Sequence, residues 1–194
     1  MSLFSFKPGE VPYGLRKGLV GRWVGDGSYT NEYSVASIQV FGVRTTTSAS
    51  DLEGNDMITA TAARVTKGQI TLRMGGISLE ALQMLVGGTI ETGTPYVEGL
   101  KITNRPFPYV GFVAQSLSEE LGGDIHLFVP KAKIRDGIEI RFEINGFSIP
   151  EFTVDALLDS NYADADGFPC LMYPITHEEI TPLELPPADV VVVP

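Results

Sequence analysis

The chain has 194 residues, 43% of them apolar and 20% charged, with one cysteine and a formal net charge of −10. That length and apolar share suit a single domain with a real core, and a lone cysteine, Cys170, excludes an internal disulfide. A protein that grips nucleic acid needs cations to displace phosphate counterions. Here residues 1–50 carry five Lys/Arg and three Asp/Glu, a balance of +2, while residues 51–194 carry nine and 21, a balance of −12. After Arg141 there is no Lys or Arg, and ten acids follow. Such a balance serves solubility, or it keeps a polyanion from adhering.

The 21 glycines and 13 prolines imply many turns between short strands. The opening MSLFSFKPGEVPYG lacks the basic stretch and apolar run of a signal peptide. No apolar run approaches the ~18 residues of a membrane helix, so no membrane insertion is expected. The single thiol fits assembly in a reducing cytoplasm.

Residues 1–32 read as an irregular N-terminal arm, broken by Pro8, Gly9, Pro12, Gly14, Gly18, Gly21, Gly25 and Gly27. Its apolar residues, Phe4 and Phe6 first among them, are too many for a free tail. Phe4 and Phe6 are the expected arm contacts, made with a partner or with the arm's own domain. Residues 33–180 form the expected β domain. Tyr33 to Thr47 opens it as a β region with Val35, Ile38, Val40, Phe41 and Val43.

Ser48 to Asp56 reads as a polar, Gly-bearing loop containing Asp51, Leu52, Glu53, Gly54, Asn55 and Asp56. Met57 to Thr66 and Gln69 to Met74 then read as two strands joined at Lys67-Gly68. In the second, Ile70, Leu72 and Met74 alternate with Gln69, Thr71 and Arg73, so one face is dry and the other wet. Ser78 to Val86 is the best helix. Ser78 caps it, Glu80 suits its positive end, Leu79, Leu82, Leu85 and Val86 form an apolar stripe, and Gly87-Gly88 stops it.

Further strands are expected at Tyr109 to Leu117, Asp124 to Val129, Ile138 to Ile144, Ile149 to Leu158 and Cys170 to Thr176. Ile138, Ile140, Phe142 and Ile144 alternate with Glu139, Arg141 and Glu143, the pattern of a strand wet on one face. Residues 181–194, Pro-rich and ending in VVVVP, read as a C-terminal arm.

No catalytic constellation stands out. His126 and His177 are the only histidines, and His177-Glu178-Glu179 matches no metal-ligand spacing, so no metal and no cofactor are expected. The carboxylate pairs Glu119-Glu120, Asp164 with Asp166 and Asp155 with Asp159 suit solvated loops, and none singles out a glycosidase pair. Cys170 lies among apolar residues and reads as buried rather than reactive. Lys131, Lys133 and Arg135 alternate and share one edge or face; three cations there could touch a phosphate backbone, but such a set more often balances acids across a subunit contact or blunts an exposed strand edge. Gly75-Gly76 lacks the rest of a phosphate-binding fingerprint.

The order of these features resembles the tail tube proteins (major tail proteins) of long-tailed, siphovirus-type bacteriophages. The likeness rests on the arm, the acidic loop Asp51 to Asp56, the Met57 to Met74 region and the helix ISLEALQMLVGG. It continues through GFVAQS, Lys131-Ala132-Lys133, IEIRFEIN and the late strands, and covers about residues 33–180. The resemblance implies a mainly β fold, an antiparallel β-sandwich or barrel with one flanking α-helix, here with extended N- and C-terminal arms. It implies homo-hexameric rings stacked into a tube through which DNA passes without specific binding. Partners by resemblance are further copies of the chain and the tape measure, tail terminator and distal tail proteins. The site would be the virion tail, assembled in the host cytoplasm. By the same resemblance the Ser48 to Asp56 loop reaches the next ring, and Gln69, Thr71, Arg73, Glu139, Arg141 and Glu143 face the lumen. Net negative charge there would repel phosphates. Other readings are a different virion β protein (connector, terminator or decoration protein), the inner tube of a contractile tail, a ligand-binding β-barrel, or a hydrolase with an unrecognised carboxylate pair.

Overall fold

The computed structural model describes residues 12–35, 38–54, 57–75, 78–93, 96–118, 123–136 and 151–187. The strands are β1 (Pro12–Trp23), β2 (Tyr29–Val35), β3 (Ile38–Gly54), β4 (Met57–Met74), β5 (Thr89–Gly93), β6 (Tyr96–Lys101), β7 (Val110–Ser118), β8 (Asp124–Ile134), β9 (Glu151–Leu157) and β10 (Tyr173–His177). Helix α1 (Leu79–Val86) follows β4, and a 3-10 turn covers Ser160–Tyr162. The fold is mainly β with one α-helix. An eight-stranded antiparallel sheet runs β2-β1-β7-β8-β9-β4-β3, with β10 paired to β8, and β5 and β6 form a separate hairpin.

One face of the large sheet carries the main core. Val20, Val35, Ile70, Leu72, Met74, Val110, Phe112, Val129, Phe152 and Val154 meet Ala81, Leu82, Met84, Leu85 and Val86 of α1 there. Burying one such large side chain is worth about 1.5–3 kcal/mol, so this face supplies most of the apolar stabilisation. A second cluster lies across the central strands, where Val113 of β7 and Phe128 of β8 pack with Tyr162 and Leu185. Strands β7 and β8 are therefore buried on both sides, which is why GFVA and FV read as continuous apolar runs.

Helix α1 forms as its caps and stripe predict. The Ser78 hydroxyl accepts from the Ala81 N–H at 3.3 Å, and the Gly87 N–H donates to the Gln83 carbonyl at 2.9 Å. Gly87 has φ of 75°, a conformation glycine adopts without strain.

Four expectations are corrected. Residues 12–32, assigned to an arm, hold β1 and most of β2, and β1 pairs with both β2 and β7. The glycines that suggested irregularity serve close approach. A Cβ at Gly18 would lie 2.8 Å from Ile38 Cδ1, and one at Gly21 would collide with the Leu185 side chain. Opposite Gly21 the register shifts, and Asn31 takes φ of 53°, the mark of a bulge. Phe4 and Phe6 lie outside the described residues.

Second, most of the Ser48 to Asp56 loop is strand: β3 runs through Asp51, Leu52, Glu53 and Gly54, and Gly54 pairs with Met57. Asn55 and Asp56 lie outside the described residues. Third, Lys67-Gly68 is not a turn. Strand β4 continues through it, pairing Thr46 with Lys67 and Thr45 with Gly68. A Cβ at Gly68 would lie 3.0 Å from Ala156 Cβ and 3.1 Å from Leu171 Cδ2, so close strand packing explains the glycine. Fourth, the C-terminal arm is no free extension over residues 181–187, where Leu185 is buried. The Tyr162 hydroxyl lies 2.6 Å from the Gly27 carbonyl and 2.7 Å from that of Pro186. The β5–β6 hairpin was not anticipated. The strand expected at Ile138 to Ile144, with Glu139, Arg141 and Glu143, lies outside the described residues.

Candidate assembly surface

Strands β3 and β4 make the longest hairpin, 17 and 18 residues. Strand β9 pairs with β4 only from Gly68 to Arg73. Beyond that point, among the described residues, Thr46–Gly54 and Met57–Lys67 pair only with each other. At about 3.3 Å per residue this outer part extends roughly 25 Å. Its described side chains are wet on both faces: Thr45, Thr46, Thr47, Ser48, Ala49, Ala63, Arg64, Val65 and Thr66 are all exposed. Polar composition made Ser48 to Asp56 read as a loop, whereas Met57 to Thr66 read as strand, and Thr and Val suit a strand. The outer edge of β3 has no paired strand among the described residues.

The inner half carries the alternation expected from sequence. Ile70, Leu72 and Met74 are 0–1% exposed, while Gln69, Thr71 and Arg73 lie on the opposite face. Cross-strand partners share a face, so Gln69, Thr71 and Arg73 stand beside Asp155, Thr153 and Glu151 of β9 and Arg44, Gly42 and Val40 of β3. Lys133 of β8 opposes Asp155. Arg73 Nε bonds Glu151 Oε2 at 2.7 Å, and Lys67 Nζ lies 3.2 Å from Asp155 Oδ2. Both are surface pairs of small individual worth. The described part of this face thus sets Arg44, Lys67, Arg73, Lys131 and Lys133 against Glu151 and Asp155. The negative charge expected of a lumen rested on Glu139 and Glu143, which lie outside the described residues.

Lys131 and Lys133 are held by aromatic rings. Lys131 Nζ sits 3.9 Å from the Trp23 ring centre and Lys133 Nζ 4.8 Å from that of Tyr109, an arrangement that fixes a cation over a π face. Trp23 and Tyr109 meet edge to face at 5.7 Å, and Trp23 Nε1 donates to Asp159 Oδ2 at 2.7 Å. A cleft beside them is lined by Thr66, Lys67, Tyr109, Lys131, Asp155 and Leu157. Arg135 lies 3.7 Å from Asp136 and 3.8 Å from Asp155 within the chain.

A second polar group closes the other end of the sheet. Asp124 and His126 stand two apart on β8. Register puts His177 of β10 directly opposite Asp124, and Gln115 of β7 opposite His126. Asp124 is fully buried and His126 4% exposed. Asp124 Oδ2 accepts from Gln115 Nε2 at 2.5 Å and from the Thr181 N–H at 2.9 Å, and lies 3.0 Å from His126 Nε2. Burial pushes the Asp124 carboxyl up, but the Thr181 and Gln115 hydrogen bonds and the adjacent imidazole outweigh it and hold it below its ordinary value. Burial likewise dominates at His126 and lowers it, against the attraction of Asp124. Sequence reading judged His177 by its chain neighbours and missed this grouping, because the ladder brings together residues about 50 positions apart.

No protein-family model matches the chain, and no curated protein matches it. Among solved structures, a chain of the anti-feeding prophage (AFP) baseplate, from a 6-fold symmetrised cryo-EM structure, aligns at 12% identity and TM-score 0.47. It covers 85% of this chain and 96% of its own length. A chain from the tail of an empty GTA particle, refined helically with C6 symmetry, aligns at 10% identity and TM-score 0.38, covering 71% and 88%. Likenesses this remote establish neither a shared fold nor a shared function.

Proposed function

We propose that this chain is a structural protein that self-assembles into stacked hexameric rings, forming a phage-type tail tube. The observation that carries this reading is the outer half of the β3–β4 hairpin. Two strands wet on both faces are marginal by themselves in water, and a long unpaired edge invites another strand. Pairing with neighbouring copies removes that edge and supports the hairpin, as closing a sheet into a barrel does. In this reading the hairpin tip, with Asp51, Leu52, Glu53, Gly54, Asn55 and Asp56, reaches the adjacent ring. The face with Gln69, Thr71 and Arg73 borders the channel, and Glu139, Arg141 and Glu143, which lie outside the described residues, are the further lumen residues of this reading. DNA passes without specific binding, and the other partners are tail proteins that start and end the tube. The protein acts by geometry and carries no catalysis in this reading.

Electron microscopy of the purified chain, paired with light scattering across concentration, tests the proposal. Six-fold rings or tubes support it. A strict monomer at every concentration, with no tubes in extracts of producing cells, overturns it.

A further inference from the structure

The buried cluster at the β8–β10 ladder contains two polar atoms without partners. Asp124 Oδ1 and His177 Nε2 are both buried, and neither has a hydrogen-bond partner among the described residues. A buried polar atom without a partner loses its hydration with nothing in return, and two together in a small domain call for a cause. Asp124 Oδ2, by contrast, accepts from Gln115 Nε2 and the Thr181 N–H, while its 3.0 Å contact with His126 Nε2 is one that an ion held by both residues replaces. These bonds fix the carboxylate and leave Oδ1 available, the usual task of groups behind a metal ligand.

We propose that Asp124, His126 and His177 bind one divalent transition-metal ion of the zinc class. One ligand atom from each residue lies within 4.8 Å of the others. Ligands about 2.0–2.1 Å from a tetrahedral zinc ion lie about 3.4 Å from one another, so closure from a 4.8 Å spread needs a movement of up to about 1.4 Å. His177 is half-buried and stands at the end of β10, where a ring rotation supplies that shift. Two imidazoles and one carboxylate suit zinc and its neighbours rather than calcium or magnesium, which take oxygen ligands. Water takes the fourth position.

The effect of the ion is a clamp. Asp124 already holds the Thr181 N–H, and the chain beyond continues to Leu185 and Pro186, which pack on the second cluster. A metal bridging β8 and β10 secures the last strand and the following segment against the central sheet. This inference is independent of tube assembly.

Zinc titration of untagged, full-length, EDTA-stripped protein tests it, by calorimetry and by metal analysis after dialysis. The expected result is one zinc ion per chain, a raised unfolding temperature, and slower amide exchange over residues 173–187. His177→Gln should weaken binding at least tenfold, with the unfolding temperature of the metal-free protein nearly unchanged. Both histidines of the chain belong to the site, so zinc should shift both imidazole 15N resonances of the unsubstituted protein. That measurement stands even if the variant misfolds. Absence of stoichiometric zinc, equal binding by His177→Gln, or unshifted imidazoles overturns the proposal.

Discussion

Single glycines decide how closely the strands of this sheet approach one another. A Cβ at Gly111 would collide with the Tyr29 ring and lie 3.0 Å from the Pro130 carbonyl oxygen. The Tyr29 hydroxyl donates to that same carbonyl at 2.7 Å, so neither neighbour yields easily. Gly111→Ala should therefore destabilise by about 1–3 kcal/mol, the range for overpacking. Gly42, with nothing within 4 Å of its added Cβ, is the control. Gly42→Ala should be neutral or stabilise by a few tenths of a kcal/mol through the unfolded chain. Urea denaturation of both variants checks the contrast. Cys170 gives a second residue-scale outcome. Burial, with the nearby Asp159 charge, pushes its thiol up to about 11, so at pH 8 only about one thiol in a thousand is the reactive thiolate. Disulfide reagents should react slowly in the native protein, about tenfold faster per pH unit, and at once in denaturant.

Elements show where local and tertiary forces agree. Helix α1 is short, so packing rather than propensity holds it. Leu85 is fully buried in the main core, and Leu85→Ala should cost about 2–5 kcal/mol in urea unfolding. Leu85→Asp buries a charge and should yield insoluble protein. Ser78→Ala removes the acceptor for the Ala81 N–H and should cost about 1 kcal/mol. A soluble, fully folded Leu85→Asp protein would show that this stripe does not pack against the sheet. The outer β3–β4 hairpin is the opposite case: its described side chains are exposed, so its strands gain little from the domain's own core.

At the scale of the whole molecule, that asymmetry separates folding from assembly. Replacing residues 50–62 with a two-residue Asn-Gly turn, which joins the paired Ala49 and Ala63, leaves every described residue of both core clusters in place. The shortened protein should keep its circular dichroism spectrum and unfold within a few degrees of the full chain, at about 1 kcal/mol or less of lost stability. It should form no tubes. An unfolded product would place the hairpin tip within the folding unit, and normal tubes would remove it from the assembly surface.

Elements with strong local periodicity were legible in the sequence. The Ser78 cap, the apolar stripe and Gly87-Gly88 located α1, and the alternation of Ile70, Leu72 and Met74 with Gln69, Thr71 and Arg73 separated two faces of β4. These patterns express forces acting within one element, so the order of residues alone determined them. Only the tertiary structure decided the rest. Gly18, Gly21 and Gly68 read as breaks because the side chains packed over them, Ile38, Leu185 and Leu171, come from distant parts of the chain. Ser48 to Gly54 read as loop because its ladder partner, rather than its own hydrophobicity, makes it a strand. Asp124, His126 and His177 meet only through the β8–β10 register. Local sequence encodes turn and face, whereas pairing across a sheet depends on contacts between residues far apart in the chain.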